Sequence, residues 1–200
     1  MLLKDKLLNH NVILASRSPR RKELLAGAGI VFVQAENYHV DEVYPTGMNP
    51  RQVPEYLASL KSREYPWRLA VGDILITADT VVICDDRILG KPTDRDSAVR
   101  MLRMLSGREH TVVTGVVLRD IDGTAQFSAA SEVRFRQLSQ EEIDYYVDTF
   151  APFDKAGSYG IQEWIGYVAI ESINGSFYNV MGLPVQALYL ELDKFVGRDK

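Results

Sequence analysis

The chain has few of the residues on which disulfide-bonded and zinc-binding proteins depend. Cys84 is the only cysteine among the 200 residues, so no disulfide can form within the chain. Such sparse cysteine usage is typical of a reducing compartment, and we expect the protein in the cytoplasm. The three histidines, His10, His39 and His110, are scattered along the sequence. They support neither a structural zinc site nor a Cys–His catalytic pair, and we interpret them as incidental.

Long apolar runs and an excess of positive charge are also missing. No apolar run approaches the roughly 20 residues needed to span a bilayer, and charged residues interrupt the N-terminal apolar segment, so we expect no membrane or targeting segment. The formal net charge of −4 argues against bulk electrostatic binding to nucleic acid. A local basic pocket remains compatible with that charge.

The composition does provide enough apolar surface for a globular core. Hydrophobic residues make up 46% of the chain and charged residues 25%. A length of 200 residues suits one sizeable domain or two small, closely packed lobes. We find no internal repeat and no linker long enough to separate independent domains.

Periodic apolar positions and turn residues predict alternating helices and strands. Helices are predicted from residue 19 to 27 or 29 and over 51–63, 94–105, 140–150 and 185–195, the third with Thr93 as its N-cap and Asp96 completing a capping box. Strands are predicted over 12–14, 30–33, 74–83, 88–89, 111–118, 125–135 and 167–173. This mixture favours a mixed α/β fold in which helices flank a long, twisted mixed β-sheet.

A basic first turn distinguishes the first of these helices. Ser18 is the expected N-cap and Pro19 the first helical residue, but Arg20, Arg21 and Lys22 follow. Cations there oppose the positive end of the helix dipole, at roughly 0.3 to 1 kcal/mol each. The turn therefore predicts a bound anion, with phosphate as the favoured candidate and a solvated basic helix end as the alternative. On charge alone, removing Arg20 or Arg21 should leave the fold intact or slightly more stable.

Asp79 is the most informative carboxylate, because it interrupts a strand whose other residues suit burial. An ionised carboxylate there must be paired, hydrogen-bonded or metal-bound, which leaves catalysis and a structural role open. Glu42, in an irregular acidic segment, is a second candidate for a metal-facing carboxylate, with a solvated loop acid as the alternative. A metal held by such carboxylates would suit magnesium or manganese.

Three lysines are candidates for contact with an anion. Lys91 stands between a glycine and a proline, which favours a positioned ammonium. Lys155 lies in a glycine-bearing loop with Ser158 and Gln162, and this loop could offer N–H groups and an amide to a ligand. Lys61 falls on a predicted helix, where a solvated lysine is the usual outcome. None of the three identifies a ligand by itself.

Six segments, taken in order, resemble the Maf family of nucleoside triphosphate pyrophosphatases. They are ASRSPRRKELL at 15–25, ADTVV at 78–82, GKP at 90–92, LSG at 105–107, DKAGSYGIQ at 154–162 and INGSFYNVMGLP at 173–184. The set covers nearly the whole chain. The form of the fifth segment is similar to the branch of the family that acts on dTTP and UTP.

The resemblance implies an activity and a fold. The activity is hydrolysis of a nucleoside triphosphate to the monophosphate and pyrophosphate with a divalent metal cation, Mg²⁺ or Mn²⁺. The implied fold is a single Maf-like domain over residues 1–200, elongated, with two closely packed lobes around a central cleft and an architecture similar to inosine triphosphatases. The expected partner is the nucleotide, with no nucleic acid and no membrane, and a homodimer is left open.

The resemblance also implies residue roles. Asp79 resembles the proton acceptor that activates water, and Glu42 is the candidate for an additional acidic residue that would share a metal with it. Arg20, Thr80 and Gln162 match positions linked to substrate choice, and Ser16, Arg21, Lys61 and Lys91 match phosphate-facing positions. With Lys155 of the glycine-bearing loop, these are the expected substrate-binding residues. Arg17 departs from the family, in which many members carry a small residue, and residues 38–42 align loosely.

Two other functions stay open at this point. One is an inosine- or xanthosine-triphosphate pyrophosphatase of similar architecture, which a preference for purine triphosphates would favour. The other is a nucleotide-binding regulator, for instance of cell division, that retains the pocket without turnover. The presence of both Asp79 and Lys91 argues for turnover.

Overall fold

The chain alternates between helices and strands, and the computed structural model describes residues 1–198. The α-helices are α1 Leu3–Lys6, α2 Pro19–Gly27, α3 Val53–Arg63, α4 Arg95–Leu105, α5 Gln140–Phe150, α6 Trp164–Ala169, α7 Phe177–Met181 and α8 Val185–Gly197. The strands are β1 Asn11–Leu14, β2 Val33–Gln34, β3 Asp73–Cys84, β4 Arg87–Leu89, β5 Glu109–Arg119, β6 Thr124–Phe135 and β7 Ile170–Asn174. No helix within the described residues combines the length and apolarity needed to cross a membrane.

The strands form one mixed sheet of seven strands in the order β2-β1-β3-β5-β6-β7, with β4 paired to β3. Strand β1 runs parallel to β2 and β3, whereas β4 is antiparallel to β3 and β7 is antiparallel to β6. The predicted mixed α/β class and the mixed sheet are thereby confirmed. The elongated shape and the central cleft stay predictions.

The residues group into two compact units. The first unit comprises Met1–Asp79, Thr114–Ala129 and the segment that begins at Gly182. The second unit comprises Thr80–Val113 and Ala130–Met181. That both belong to one domain with two closely packed lobes stays a prediction.

In the first unit, α3 lies directly against the sheet. Thr77 Oγ1 of β3 donates a hydrogen bond of 2.7 Å to the carbonyl oxygen of Ala58 in α3. Gly115 of β5 has no side chain at a point where a Cβ would lie 2.3 Å from the backbone of Glu55. Because both contacts involve the α3 backbone, the helix approaches the strands more closely than ordinary side chains would allow.

In the second unit, polar contacts join α4 and α5, and a tight turn joins β3 to β4. Arg95 of α4 donates to Asp148 at 2.7 Å and to Asp144 at 2.8 Å, both on α5. Asp85 and Asp86 have φ angles of 49° and 57°, the left-handed conformation that a two-residue type I′ hairpin turn requires. In the sequence, Asp85-Asp86 predicts a hairpin-like turn between the strands expected over 74–83 and 88–89, and the antiparallel pairing of β3 with β4 confirms it.

Two predicted strands differ from the observed ones. Strand β2 begins at Val33, because the N–H of Ile30 donates to the Leu25 carbonyl at 3.3 Å and so belongs to the turn that ends α2. The strand predicted over 167–173 was wrong in its first half, where α6 continues to Ala169. Gly166 of this helix lies so close to the preceding turn that a Cβ there would be 1.7 Å from the Ile161 carbonyl oxygen.

The predicted cap of α4 was wrong by one residue. Asp94, not Thr93, is the N-cap, and its carboxylate accepts the backbone N–H of Ser97 at 2.7 Å. The Ser97 side chain in turn accepts the backbone N–H of Asp94, so Ser97, and not Asp96, completes the capping box. A carboxylate is a better N-cap acceptor than a threonine hydroxyl, which accounts for the shift.

Candidate active site

The N-terminus of α2 forms as predicted. Ser18 is the N-cap, its Oγ accepting the backbone N–H of Arg21 at 3.4 Å, and Pro19 is the first helical residue. Ser16 Oγ accepts the backbone N–H of Ser18 at 3.2 Å. The first turn of this helix contains no acidic residue, so Arg20 and Arg21 give it a strong local positive charge.

The Arg21 side chain joins α2 to two other parts of the first unit. Its Nε donates to the Gly182 carbonyl at 2.8 Å, and its Nη1 donates to the Ala78 carbonyl at 2.9 Å and to Ser16 Oγ at 3.5 Å. Burial lowers the pKa of Arg21, while the charge of Asp79 opposes that lowering. The guanidinium stays charged. It therefore has both a structural role and a cation to offer an anion, and the expectation that it can be removed without cost no longer holds.

The packing of α3 on β3 brings Lys61 to Asp79. Thr77 and Asp79 are two residues apart on a strand and share a face, while Ala58 and Lys61 are three apart on a helix and also share a face. Because Thr77 contacts Ala58, the next residues on these two faces, Asp79 and Lys61, also meet. Lys61 Nζ lies 2.6 Å from Asp79 Oδ1. The two side chains are 16% and 12% exposed. The carboxylate that interrupts the strand is thus paired.

Glu42 shares the same ammonium. Its Oε1 lies 3.0 Å from Lys61 Nζ, although the side chain of Glu42 is 51% exposed. The Tyr38 hydroxyl donates to the Lys61 carbonyl at 2.7 Å and so holds the segment that carries Glu42 next to α3. Lys61 thus lies between two carboxylates, those of Glu42 and Asp79.

These two carboxylates are the residues that could hold a divalent cation. Residues 1–198 contain no cluster of three or more His, Cys, Asp or Glu side chains suited to a metal ion. Magnesium, however, is commonly held by only one or two carboxylates, with substrate phosphates and water completing its shell. The oxygen donors of Glu42 and Asp79 therefore fit Mg²⁺ or Mn²⁺.

In the second unit, residues 154–163, which we call the glycine loop, lie against β3 and the segment before α4. The backbone N–H of Gly157 donates to the Gly90 carbonyl at 3.1 Å. Gly157 has a φ of 67°, and a Cβ there would lie 2.9 Å from the side chain of Val82. The sequence neighbour of Gly90, Lys91, is exposed and is thereby brought to the glycine loop.

Thr80 lies on the β3 face that adjoins the glycine loop. It is two residues from Val82, so the two side chains point to the same side of the strand. Gly157 meets that side at Val82. Thr80 is half-buried there.

Lys155 is buried inside the glycine loop and is held by two carboxylates. Its Nζ lies 2.7 Å from Asp154 Oδ1 and 3.1 Å from Glu163 Oε1, with the lysine side chain 9% exposed. The Tyr146 hydroxyl donates to the other carboxylate oxygen of Glu163. The same hydroxyl oxygen accepts the backbone N–H of Gly160 at 3.0 Å. Lys155 stays a predicted substrate-binding residue, but its ammonium already has two partners.

Gln162 presents an amide with an unused acceptor. Its Oε1 is buried and has no hydrogen-bond partner among residues 1–198. A buried acceptor left unpaired costs about 1–3 kcal/mol, so such an atom is a natural site for a ligand donor. The amide can both donate and accept, as recognition of a base edge requires.

The structure gathers the predicted site residues into two groups, one in each unit. The first group contains Ser16, Arg20, Arg21, Glu42, Lys61 and Asp79, and the second contains Thr80, Lys91, Lys155 and Gln162. Sequence reasoning missed Glu163 and Tyr146. A signal for Glu163 was present, because a lysine buried in a glycine-rich segment needs a nearby counter-charge.

Comparison with known proteins gives a consistent family. The family model described as Maf-like protein matches residues 11–195. A dTTP/UTP pyrophosphatase from Porphyromonas gingivalis is 56% identical over 193 residues, which cover 96% of this chain and 97% of that protein. A dTTP/UTP pyrophosphatase from Bacteroides thetaiotaomicron is 52% identical over 185 residues, 92% of this chain and 96% of that one. A third, from Flavobacterium psychrophilum, is 41% identical over 191 residues, 96% and 97% of the two chains.

Among solved structures, a HAM1 protein from Coxiella burnetii aligns with 92% of this chain and 99% of its own. The TM-score is 0.47 and the sequence identity 13%. A similarity at this level has no functional implication.

Proposed function

The chain belongs to the Maf family, and we propose that it hydrolyses dTTP and UTP to the nucleoside monophosphate and pyrophosphate. The names of its relatives support this choice of substrate. The observation that carries the proposal is the Asp79 carboxylate, which lies 2.6 Å from the Lys61 ammonium. The Arg21 guanidinium is bonded to the carbonyl of Ala78, the residue next to Asp79.

Phosphate binding falls to the cations of the first unit. A triphosphate carries about four negative charges, which must be neutralised before a water molecule can approach the α-phosphorus. Arg20 and Arg21 at the start of α2, together with Lys61 and the Ser16 hydroxyl, are the groups suited to this task. The N-terminus of α2 adds its own partial positive charge.

Asp79 accepts the proton of the attacking water. The oxygen of that water forms a bond to the α-phosphorus, the bond between this phosphorus and the α–β bridging oxygen breaks, and pyrophosphate leaves with the electron pair. Lys61 orients the carboxylate through its hydrogen bond of 2.6 Å. The nucleoside monophosphate keeps the oxygen that came from water.

Glu42 and Asp79 are also proposed to hold one divalent cation, Mg²⁺ or Mn²⁺. When bound, such a cation supplies Lewis-acid polarisation of the phosphates. The two carboxylates share Lys61 as a hydrogen-bond partner, and its single ammonium offsets one of their two negative charges.

Base recognition falls to the second unit. Gln162 is proposed to read the pyrimidine edge through its amide, whose Oε1 is buried and has no partner among residues 1–198. Thr80, Lys91 and Lys155 are proposed to complete the substrate-binding set around the glycine loop. Gln162→Ala should therefore reduce turnover of dTTP and UTP more than it reduces binding of free pyrophosphate.

The test is pyrophosphate release by the purified protein from dTTP, UTP, CTP, dGTP and ITP, with and without Mg²⁺ or Mn²⁺. We expect dTTP and UTP to be preferred and the rate to depend on the cation. A preference for ITP or dGTP would replace the proposal with a purine-directed pyrophosphatase. Binding without release would replace it with a nucleotide-binding regulator.

A further inference from the structure

We propose that Glu163 and Tyr146 are positioning residues that fix the Gln162 amide for recognition of the pyrimidine base. This inference rests on the proposed function, because it takes Gln162 as the residue that reads the base. We call the set formed by Glu163, Tyr146, Lys155 and Gly160 the Glu163 clamp.

Both carboxylate oxygens of Glu163 have a fixed partner. Oε1 lies 3.1 Å from Lys155 Nζ, and Oε2 accepts the Tyr146 hydroxyl. The hydroxyl oxygen in turn accepts the backbone N–H of Gly160 at 3.0 Å. A single tyrosine hydroxyl therefore contacts the glycine loop at two residues, Gly160 and Glu163.

Burial makes this set rigid. Tyr146 lies on α5 and is completely buried, so its ring has no freedom to follow a moving loop. A side chain at Gly160 would crowd these groups, since a Cβ there would lie 3.0 Å from Glu163 Cδ and 3.1 Å from Lys155 Cε. A buried ion pair contributes little net stability after desolvation, so a role in fixing conformation is the stronger reason for this one.

Gln162 lies inside the turn that the clamp closes. The backbone N–H of Glu163 donates to the Gly160 carbonyl at 3.0 Å, so residues 160–163 form one hydrogen-bonded turn. Tyr146 holds both ends of this turn. No hydrogen bond within residues 1–198 fixes the buried Oε1 of Gln162, so in this proposal the backbone of the turn sets the direction of the amide.

The experiment measures kcat and KM for dTTP and dGTP in the wild-type protein with its divalent cation, and in Glu163→Gln and Tyr146→Phe. We expect the preference for dTTP over dGTP, expressed as kcat/KM, to fall about tenfold in both variants. The loss should come from KM for dTTP, with kcat changed by less than about threefold, because a misdirected amide weakens binding of the base and leaves the phosphate chemistry intact.

Glu142→Gln is the matched control. Glu142 lies on α5, like Tyr146, and its carboxylate pairs with Arg136 at 2.6 Å with 30% of its side chain exposed. The same substitution therefore removes a comparable ion pair outside the glycine loop. We expect it to leave the nucleotide preference unchanged.

A double variant separates positioning from general stability. If Glu163 acts through Gln162, adding Glu163→Gln to Gln162→Ala should change the dTTP preference no further. An undiminished additional loss in the Gln162→Ala background would overturn the proposal. So would single variants that melt earlier yet keep the wild-type preference.

The proposed function and the clamp fail in different ways. A wild-type protein without preference for pyrimidine triphosphates would overturn both. A wild-type protein that prefers dTTP, with Glu163→Gln and Tyr146→Phe variants that prefer it equally, would overturn only the clamp.

Discussion

Replacing Lys61 by methionine should destabilise the protein, because the carboxylates of Asp79 and Glu42 lose the ammonium that they share. Methionine keeps much of the apolar stem of lysine but removes the ammonium, which lies 2.6 Å from Asp79 and 3.0 Å from Glu42. Both carboxylates would then lose this shared hydrogen-bond partner. Nucleotide turnover should fall as well. The substitution removes both a positive charge expected to face the phosphates and the hydrogen-bond partner of Asp79, the proposed proton acceptor.

The magnitude follows from the exposure of the two acids. Removing one partner of a buried ion pair costs about 3–5 kcal/mol, mostly because the other charge stays buried. Asp79 is such a buried partner, because its side chain is 12% exposed. Glu42 is 51% exposed, so water can replace the ammonium there. We therefore expect a loss at or just below the lower limit of that range, about 2–3 kcal/mol. Asp79→Asn, which leaves Lys61 paired with Glu42, should cost about 1–2 kcal/mol.

A double-mutant cycle by urea unfolding provides the assay. The Lys61→Met/Asp79→Asn double variant should be no less stable than Lys61→Met alone, because the stranded charge is gone. This predicts a coupling energy of about 1–2 kcal/mol between the two sites. Lys22→Met is the matched control, since Lys22 Nζ donates to a neutral amide oxygen, that of Gln34, at 3.2 Å. Additive single effects, or an equal loss in Lys22→Met, would refute the electrostatic reasoning.

Arg21 and His110 give two further predictions. Arg21→Ala should lower the free energy of unfolding by about 2–4 kcal/mol, because two carbonyl oxygens lose a charged donor. A loss below about 0.5 kcal/mol in urea unfolding would contradict the structural role of this side chain. Burial lowers the pKa of His110 to about 4, so the unfolded chain, with a histidine pKa near ~6.5, binds the proton first as pH falls. The contribution of the neutral imidazole to the free energy of unfolding is therefore complete above pH ~6.5 and is lost as the pH falls toward ~4. At pH ~5 the free energy of unfolding should be lower by about 2 kcal/mol. His110→Gln should abolish this part of the pH dependence in urea unfolding at pH ~7.5 and ~5, and an unchanged dependence would exclude His110 as its source.

Local rules were sufficient where structure depends on neighbours in sequence. Ser18 and Pro19 identified the start of α2, and Asp85-Asp86 identified the hairpin turn, because caps and tight turns are formed by a few adjacent residues. The prediction of Thr93 as the N-cap of α4 was wrong for a related reason. Thr93 and the adjacent Asp94 are both suitable N-cap residues by type. Which of them caps the helix depends on the folded backbone, in which Asp94 is the N-cap.

Tertiary contacts decided the features that the sequence could not predict. The interrupted strand showed that Asp79 needs a partner, but its pairing with Lys61 depends on how α3 packs against β3, which no local pattern encodes. Arg21 was expected to be dispensable for folding because it is a cation at a helix N-terminus, and its carbonyl partners, Ala78 and Gly182, are too distant in sequence to be predicted from a local pattern. Tyr146 gave no signal, since its hydroxyl meets the glycine loop only in the folded chain.

The role of Asp79 as the proton acceptor is tested most directly by pyrophosphate release from dTTP by Asp79→Asn. The measurement is made with Mg²⁺ below the melting temperature of the variant, and Asp73→Asn is the control. Asp73 lies on the same strand and accepts the Asn11 amide at 3.0 Å, so this control should keep its rate. We expect Asp79→Asn to lose at least about a hundredfold in turnover while it remains folded, the lower range for removal of a general base. A folded Asp79→Asn protein that hydrolyses dTTP at a near-normal rate would remove Asp79 from the chemistry.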